Sequence, residues 1–165
     1  AMHEFKSAKA KISFDPNIRT ELMTDESIYN IIEEVMQNTS FFLPGRDELL
    51  SISKKDNIED AIEHCFNYPN MEIILLKNGS KGSTLYKKGA KPKSYPAYKV
   101  TQLDATGAGD CFDGAFLAEL IKGSDIDFAI SAASAAGALN AAAFGPMEGD
   151  ISPESVKKLI SEQSN

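Results

Sequence analysis

Residues 104–110 read Asp-Ala-Thr-Gly-Ala-Gly-Asp, and the reading of this stretch decides the fold. Before it, residues 98–103 form an extended, apolar-to-polar run. After it, Cys111, Phe112, Asp113, Gly114, Ala115 and Phe116 continue with helical character. A strand, a glycine turn and a helix in that order aim free backbone N–H groups at one point, where the helix dipole favours an anion. Asp110 falls in the first helical turn beside that point. A carboxylate so placed can take the proton of a hydroxyl while the N–H groups hold a phosphoryl group in transfer. Phosphoryl transfer to an alcohol is the chemistry this pattern suits. A lone Gly-x-Gly is weak, since most such turns only close a loop and start a helix. Its surroundings carry the weight.

Downstream, two Ala-rich helices are expected over residues 108–122 and 124–143, with Gly123 ending the first as a C-cap. Residues 145–149, Gly-Pro-Met-Glu-Gly, break the chain, and Ser152 with Pro153 starts a last helix as N-cap and first position. Upstream, the continuous apolar run over 71–76 reads as a strand buried on both faces, ending in Lys-Asn-Gly-Ser-Lys-Gly over 77–82. Residues 83–86 and 95–103 read as strands flanking a lysine-rich tip of Lys87, Lys88, Lys91 and Lys93. A short strand over 12–14 is stopped by Asp15, Pro16 and Asn17. Thr24 is expected to cap a helix that packs Ile28, Ile31, Ile32, Val35 and Met36 against the sheet. A strand over 39–43 closes at Pro44 and Gly45. Helices then start near Arg46 and Asp56, the latter burying Ile58, Ala61, Ile62, Cys65 and Phe66. Strands alternating with helices give an α/β fold, a mostly parallel sheet flanked by helices. Three loops fall at carboxyl ends of the expected strands, at 15–17, 77–82 and 104–110, the edge where open α/β sheets bind ligands.

A length of 165 residues suits one domain, and 42% hydrophobic with 25% charged residues is ordinary globular composition. The net charge of −7 argues against nucleic acid and anionic membrane as partners. No apolar run is long enough to span a membrane, and the first residues show no apolar signal segment, so a cytoplasmic location is expected. Cys65 and Cys111 are far apart and give no disulfide framework, and His3 and His64 sit near no candidate ligand set. The acid beside Cys111 would raise a thiol's pKa, so Cys111 reads as a small buried residue.

The run Asp-Ala-Thr-Gly-Ala-Gly-Asp-x-Phe-x-Gly-Ala-Phe resembles the C-terminal signature of ribokinase-like (PfkB) carbohydrate kinases. In the same order come Phe-Asp-Pro-Asn-Ile-Arg over 14–19, Leu-Lys-Asn-Gly-Ser-Lys-Gly-Ser over 76–83, and the Ala-rich helix before Gly145. The resemblance implies an ATP-dependent kinase of a sugar or sugar acid using ATP, Mg²⁺ and a monovalent cation such as K⁺. Asp110 would be the general base, and the N–H groups of Gly107, Ala108 and Gly109 the anion hole. Asn78, Gly79, Ser80, Lys81 and Gly82 would lie along the nucleotide, with Ala133, Ala136 and Asn140 lining the adenine pocket. Asp104, the carbonyl of Thr106 and backbone near Asn140 and Gly145 would hold the monovalent cation. Asp104 could equally cap the turn, and Asn78-Gly79 could be a plain hairpin turn. Arg19 is a candidate contact for an anionic substrate.

Two departures from the family pattern stand out. The family pairs an Asn with a Glu three residues on to organise magnesium-bound water; here Glu48 is present but Gly45 takes the Asn position. Pro44-Gly45 is similar to the branch containing 2-keto-3-deoxygluconate kinases. The resemblance also covers only the C-terminal half of a kinase domain, over residues 1–165. The strand over 12–14 would then have an open edge, which predicts self-association. A nucleoside kinase of the same superfamily and a non-catalytic nucleotide-binding module are the alternatives. A Rossmann dinucleotide site is disfavoured, because Phe112 stands where its third glycine belongs.

Overall fold

The apolar run that begins at Met71 becomes strand β3 (Ile73–Lys77), the middle strand of a five-stranded sheet. The computed structural model describes residues 4, 5, 8, 10–18 and 26–163. The other strands are β1 (Ser13–Phe14), β2 (Phe41–Phe42), β4 (Ser83–Lys87) and β5 (Lys93–Tyr95), and all lie in the order β1-β2-β3-β4-β5. β1 pairs with β2 and β2 with β3 in parallel, setting Phe14 opposite Phe42 and Phe42 opposite Ile74. The links from β3 to β4 and from β4 to β5, residues 78–82 and 88–92, are too short for a parallel crossover. The sheet is therefore mixed, parallel through its first strands.

The chain divides into two compact units: Ala1–Asn78 with Thr84–Ser94, and Gly79–Ser83 with Tyr95–Asn165. The first holds the sheet and the helices α1 (Glu26–Met36), α2 (Arg46–Ser53) and α3 (Ile58–Cys65). Its core gathers Met36, Phe42, Leu49, Ala61, Cys65 and Ile74, with Phe14 stacked on Phe42 at 5.9 Å between ring centroids. Burial pushes the Cys65 thiol up to about 12, which makes it a packing group. Ile31 departs from the expected stripe: it is 62% exposed, while Ile32 and Met36 on the same helix are buried. Thr24, the expected cap of α1, lies outside the described residues. Asn57 sets the start of α3, its side chain accepting the Asp60 N–H at 2.9 Å.

The second unit holds α4 (Ala108–Lys122), α5 (Ile126–Ala141) and α6 (Pro153–Gln163). Gly123, at φ 85, ends α4, and the Asp125 side chain caps α5 on the Phe128 N–H at 2.9 Å. Ser152 caps α6 through the Ser155 N–H at 3.3 Å, with Pro153 in the first helical position. Val156 and Leu159 of α6 pack with Ala132, Ala135 and Ala136 of α5.

The strand expected over 95–103 is absent beyond Tyr95. Pro96 has no N–H to give a ladder. Farther on, the Lys99 N–H and carbonyl bond the Gln163 side-chain amide at 2.8 and 2.9 Å. The N–H groups of Leu103 and Asp104 both go to the Ala141 carbonyl. A side chain and a helix end thus satisfy this backbone in place of a neighbouring strand. Among the described residues no helix is long and apolar enough to cross a membrane.

Candidate active site

Ala108 donates its N–H to the Ala105 carbonyl at 3.1 Å, closing a tight turn with Gly107 in its third place. Gly107 has φ 75 and ψ 0, the backbone a type II turn needs there and one that glycine adopts without steric cost. Asp104 spans the turn: Oδ1 accepts the Thr106 N–H at 2.9 Å and Oδ2 the Gly145 N–H at 3.2 Å. A side-chain hydrogen bond from Thr106, followed by these N–H bonds, holds the Asp104 carboxyl below the usual carboxylate range.

Helix α4 follows with no side chain capping its first turn. Its first internal bond runs from the Cys111 N–H to the Gly107 carbonyl at 2.9 Å, so the N–H groups of Gly109 and Asp110 have no acceptor inside the helix. The Asp110 side chain, in the same turn, is exposed. Of the donors expected from Gly107, Ala108 and Gly109, the Ala108 N–H is used within the turn, and the Asp110 N–H joins that of Gly109 as a donor without an acceptor in the helix. Cys111 is 5% exposed, and burial, helped by the Asp110 charge, pushes its thiol up. It packs rather than reacts.

Asn140, in the last turn of α5, is fully buried. Its Nδ2 donates to the Thr106 carbonyl at 2.9 Å, and its Oδ1 accepts the Gly149 N–H at 3.4 Å. Ala133 and Ala136, expected beside Asn140 around adenine, are also buried, and Ala136 packs with Val156 and Leu159. All of them lie inside the unit and offer a ligand no surface. Sequence reasoning missed two glycines here. A Cβ on Gly137 would stand 3.0 Å from the Ala108 carbonyl oxygen, and one on Gly149 2.4 Å from the Asn140 Cα. A glycine inside an Ala-rich helix costs about 1 kcal/mol against alanine, so Gly137 was itself a signal of close approach.

In the 78–82 loop, a single 3-10 turn spans Gly79–Lys81, closed by the Gly82 N–H on the Gly79 carbonyl at 2.9 Å. Gly79, Ser80 and Lys81 are exposed. Gly82 has φ 92, and a Cβ there would fall 2.0 Å from the Tyr95 carbonyl oxygen, so only glycine fits. Asn78 belongs to the first unit, where its Nδ2 reaches Thr84 Oγ1 at 3.4 Å. In that unit Lys77 pairs with Asp15 Oδ2 at 2.8 Å, while Asp15 Oδ1 is buried with no hydrogen-bond partner among the described residues. Glu48 bonds the Gly45 N–H through Oε2 at 2.6 Å and the Ile18 N–H through Oε1 at 3.0 Å. A Cβ on Gly45 would stand 3.1 Å from that Oε2, so a larger residue here would ask the Glu48 side chain to shift. Glu48, the carboxylate expected to organise magnesium-bound water, braces these two backbone N–H groups. Arg19 lies outside the described residues.

A family profile described as pfkB family carbohydrate kinase matches residues 1–153. Fructokinase-1 of Oryza sativa subsp. japonica is 30% identical, over 97% of this chain and 52% of that protein. The 5-dehydro-2-deoxygluconokinase of Bacillus subtilis is 26% identical, over 99% and 51%. An E. coli protein described as ribokinase II, crystallised with ATP and Mg²⁺, superposes with a TM-score of 0.92 at 31% identity, covering 98% of this chain and 52% of that one. The chain spans about half the length of the relatives it matches.

Proposed function

The chain belongs to the pfkB carbohydrate kinase family, and from that premise we propose that it carries the nucleotide-binding, catalytic half of a kinase domain that phosphorylates a hydroxyl of a sugar or sugar acid from ATP. One observation carries the reading: an uncapped helix start whose first turn presents both the N–H pair of Gly109 and Asp110 and the exposed Asp110 carboxylate. Asp110 takes the hydroxyl proton as the oxygen attacks the γ-phosphate. The two N–H groups and the helix dipole stabilise the charge that gathers on the phosphoryl oxygens. The exposed Gly79, Ser80 and Lys81 lie along the nucleotide phosphates, with Asn78 and Gly82 shaping the loop ends. A sugar or sugar acid is the expected acceptor, and association of like chains through the β1 edge the expected assembly.

The cofactors fit unequally. No group of three or more His, Cys, Asp or Glu side chains among the described residues is placed to hold a metal. Magnesium would arrive on the nucleotide, bound mainly by phosphate oxygens and water, and supply charge neutralisation there. The residues implied for a monovalent cation do not stand open. Asp104 and the Thr106 carbonyl already accept N–H donors of the chain.

Calorimetric titration with ATP and Mg²⁺, with phosphoryl transfer assayed against sugars and sugar acids, tests the reading. Asp110→Ala should keep nucleotide affinity and lose roughly 10²–10⁴-fold in transfer rate. Gly79→Asp should lose affinity, because a side chain there meets nothing within 4 Å and its charge is aimed at an incoming phosphate. Full transfer by Asp110→Ala would sink the assignment.

A further inference from the structure

We propose that Asn140 is the positioning residue of the 104–110 turn, and that its side-chain amide holds this turn in the way a monovalent cation otherwise could, leaving the chain indifferent to K⁺. The inference deepens the kinase reading and rests on it for the meaning of the turn. Its structural content stands on the bonds alone.

A buried primary amide has two N–H donors and a carbonyl acceptor, and it is costly to bury unless they find partners. Asn140 finds a partner for one donor and for its acceptor: Nδ2 on the Thr106 carbonyl and Oδ1 on the Gly149 N–H. The chain around it is cut to fit. Gly149 comes so near that a Cβ would overlap the Asn140 backbone, and a Cβ on Gly107 would lie 3.6 Å from Nδ2. The neighbouring backbone converges on the same place, with the Leu103 and Asp104 N–H groups on the Ala141 carbonyl. One side chain therefore ties together the turn, the end of α5 and the loop at 145–149.

A monovalent cation at this place would draw on the Asp104 carboxylate and the Thr106 carbonyl. Both meet N–H groups instead: Asp104 those of Thr106 and Gly145, and the Thr106 carbonyl that of Asn140. The partial positive charge of the amide N–H edge does the ion's work on the carbonyl without an ion being stripped of water. Asn140→Asp would reverse this. One carboxylate oxygen would keep the Gly149 N–H, and the other would face the Thr106 carbonyl, acceptor against acceptor, calling for a cation between them.

The test melts the whole chain without nucleotide in KCl and in choline chloride at equal ionic strength, followed by ATP titration in both salts. The wild type should melt alike in the two salts, and its nucleotide affinity should agree within twofold. Asn140→Asp should be the less stable protein in choline and regain roughly 3–8 °C in saturating K⁺. If Asn140→Asp does not fold in either salt, Asn140→Ser, which opens space beside the Thr106 carbonyl, should gain a K⁺ response of the same sign. A merely structural role for Asn140 would lower stability equally in both salts. That result, or a wild type stabilised by K⁺ as strongly as the variant, overturns the proposal. A wild type that melts as expected but binds no nucleotide upholds the brace and counts against the kinase reading alone.

Discussion

Asp104 shows how one side chain can set the shape of a site without touching its chemistry. Each carboxylate oxygen takes a backbone N–H, from Thr106 and from Gly145. These bonds and the Thr106 side chain favour the ionised form and lower its pKa in the fold. A depressed carboxyl contributes stability that is fully present above its unfolded pKa and lost as the pH falls through the folded one. Asp104→Asn should therefore be less stable than the parent at neutral pH, and the gap should close in acid below the ordinary Asp range. Urea titrations at neutral pH and in acid would check this, and a gap unchanged in acid would count against it. Legibility at this scale was uneven. The family resemblance put Asp104, Thr106 and Gly145 together, and the structure joins them with Asn140 by bonds that span 34 and 41 residues of sequence. Their division of labour was not legible, since which N–H meets which oxygen depends on how the end of α5 returns to the turn. The adenine role expected of Asn140 gave way to a fully buried bracket for that reason.

Elements were legible where their signals are local. Gly123, Ser152 and Pro153 marked helix ends that the structure places at the same residues, because caps act within one turn. The strand expected over 95–103 failed because strand pairing is decided by a distant partner, and here Gln163 and the end of α5 took the backbone bonds. Ile31 had the right spacing for a buried face, yet it falls at the rim of α1's contact and stays exposed. The packing of α4 on α5 carries a prediction of its own. The Ala108 carbonyl approaches Gly137 closely enough that a Cβ would sit 3.0 Å from its oxygen and 3.5 Å from the Phe112 Cβ. Gly137→Val adds branched bulk against backbone, and overpacking of this kind costs about 1–3 kcal/mol. Since Ala108 opens the helix that carries Asp110, the same variant should weaken nucleotide binding if the proposed site is the right one. A thermal melt paired with ATP titration would read both. A Gly137→Val protein as stable as the parent would mean that α4 can move away freely and that the turn is not held from this side.

At the scale of the whole molecule, the sheet of the first unit ends at β1. No strand flanks β1 on the side away from β2 among the described residues. The Ile12 and Phe14 carbonyls accept N–H groups from residues 40, 41 and 43, so they face β2. By the alternation of backbone direction along a strand, the N–H and carbonyl of Ser13 face outward. An apolar edge strand with no neighbour among the described residues invites another copy of the chain. Lys11 stands beside the edge, paired with Glu72 and over the Phe41 ring, and guards it only in part. Sedimentation at rising concentration should therefore show reversible association. Ser13→Pro removes the outward N–H while leaving the bonds toward β2, so it should reduce association with little loss in melting temperature. A chain that stays monomeric at every concentration, or a Ser13→Pro variant that associates as the parent does, would place any contact elsewhere. The kinase reading would survive that result, because the turn, its Asn140 brace and Asp110 lie in a unit that does not contain β1.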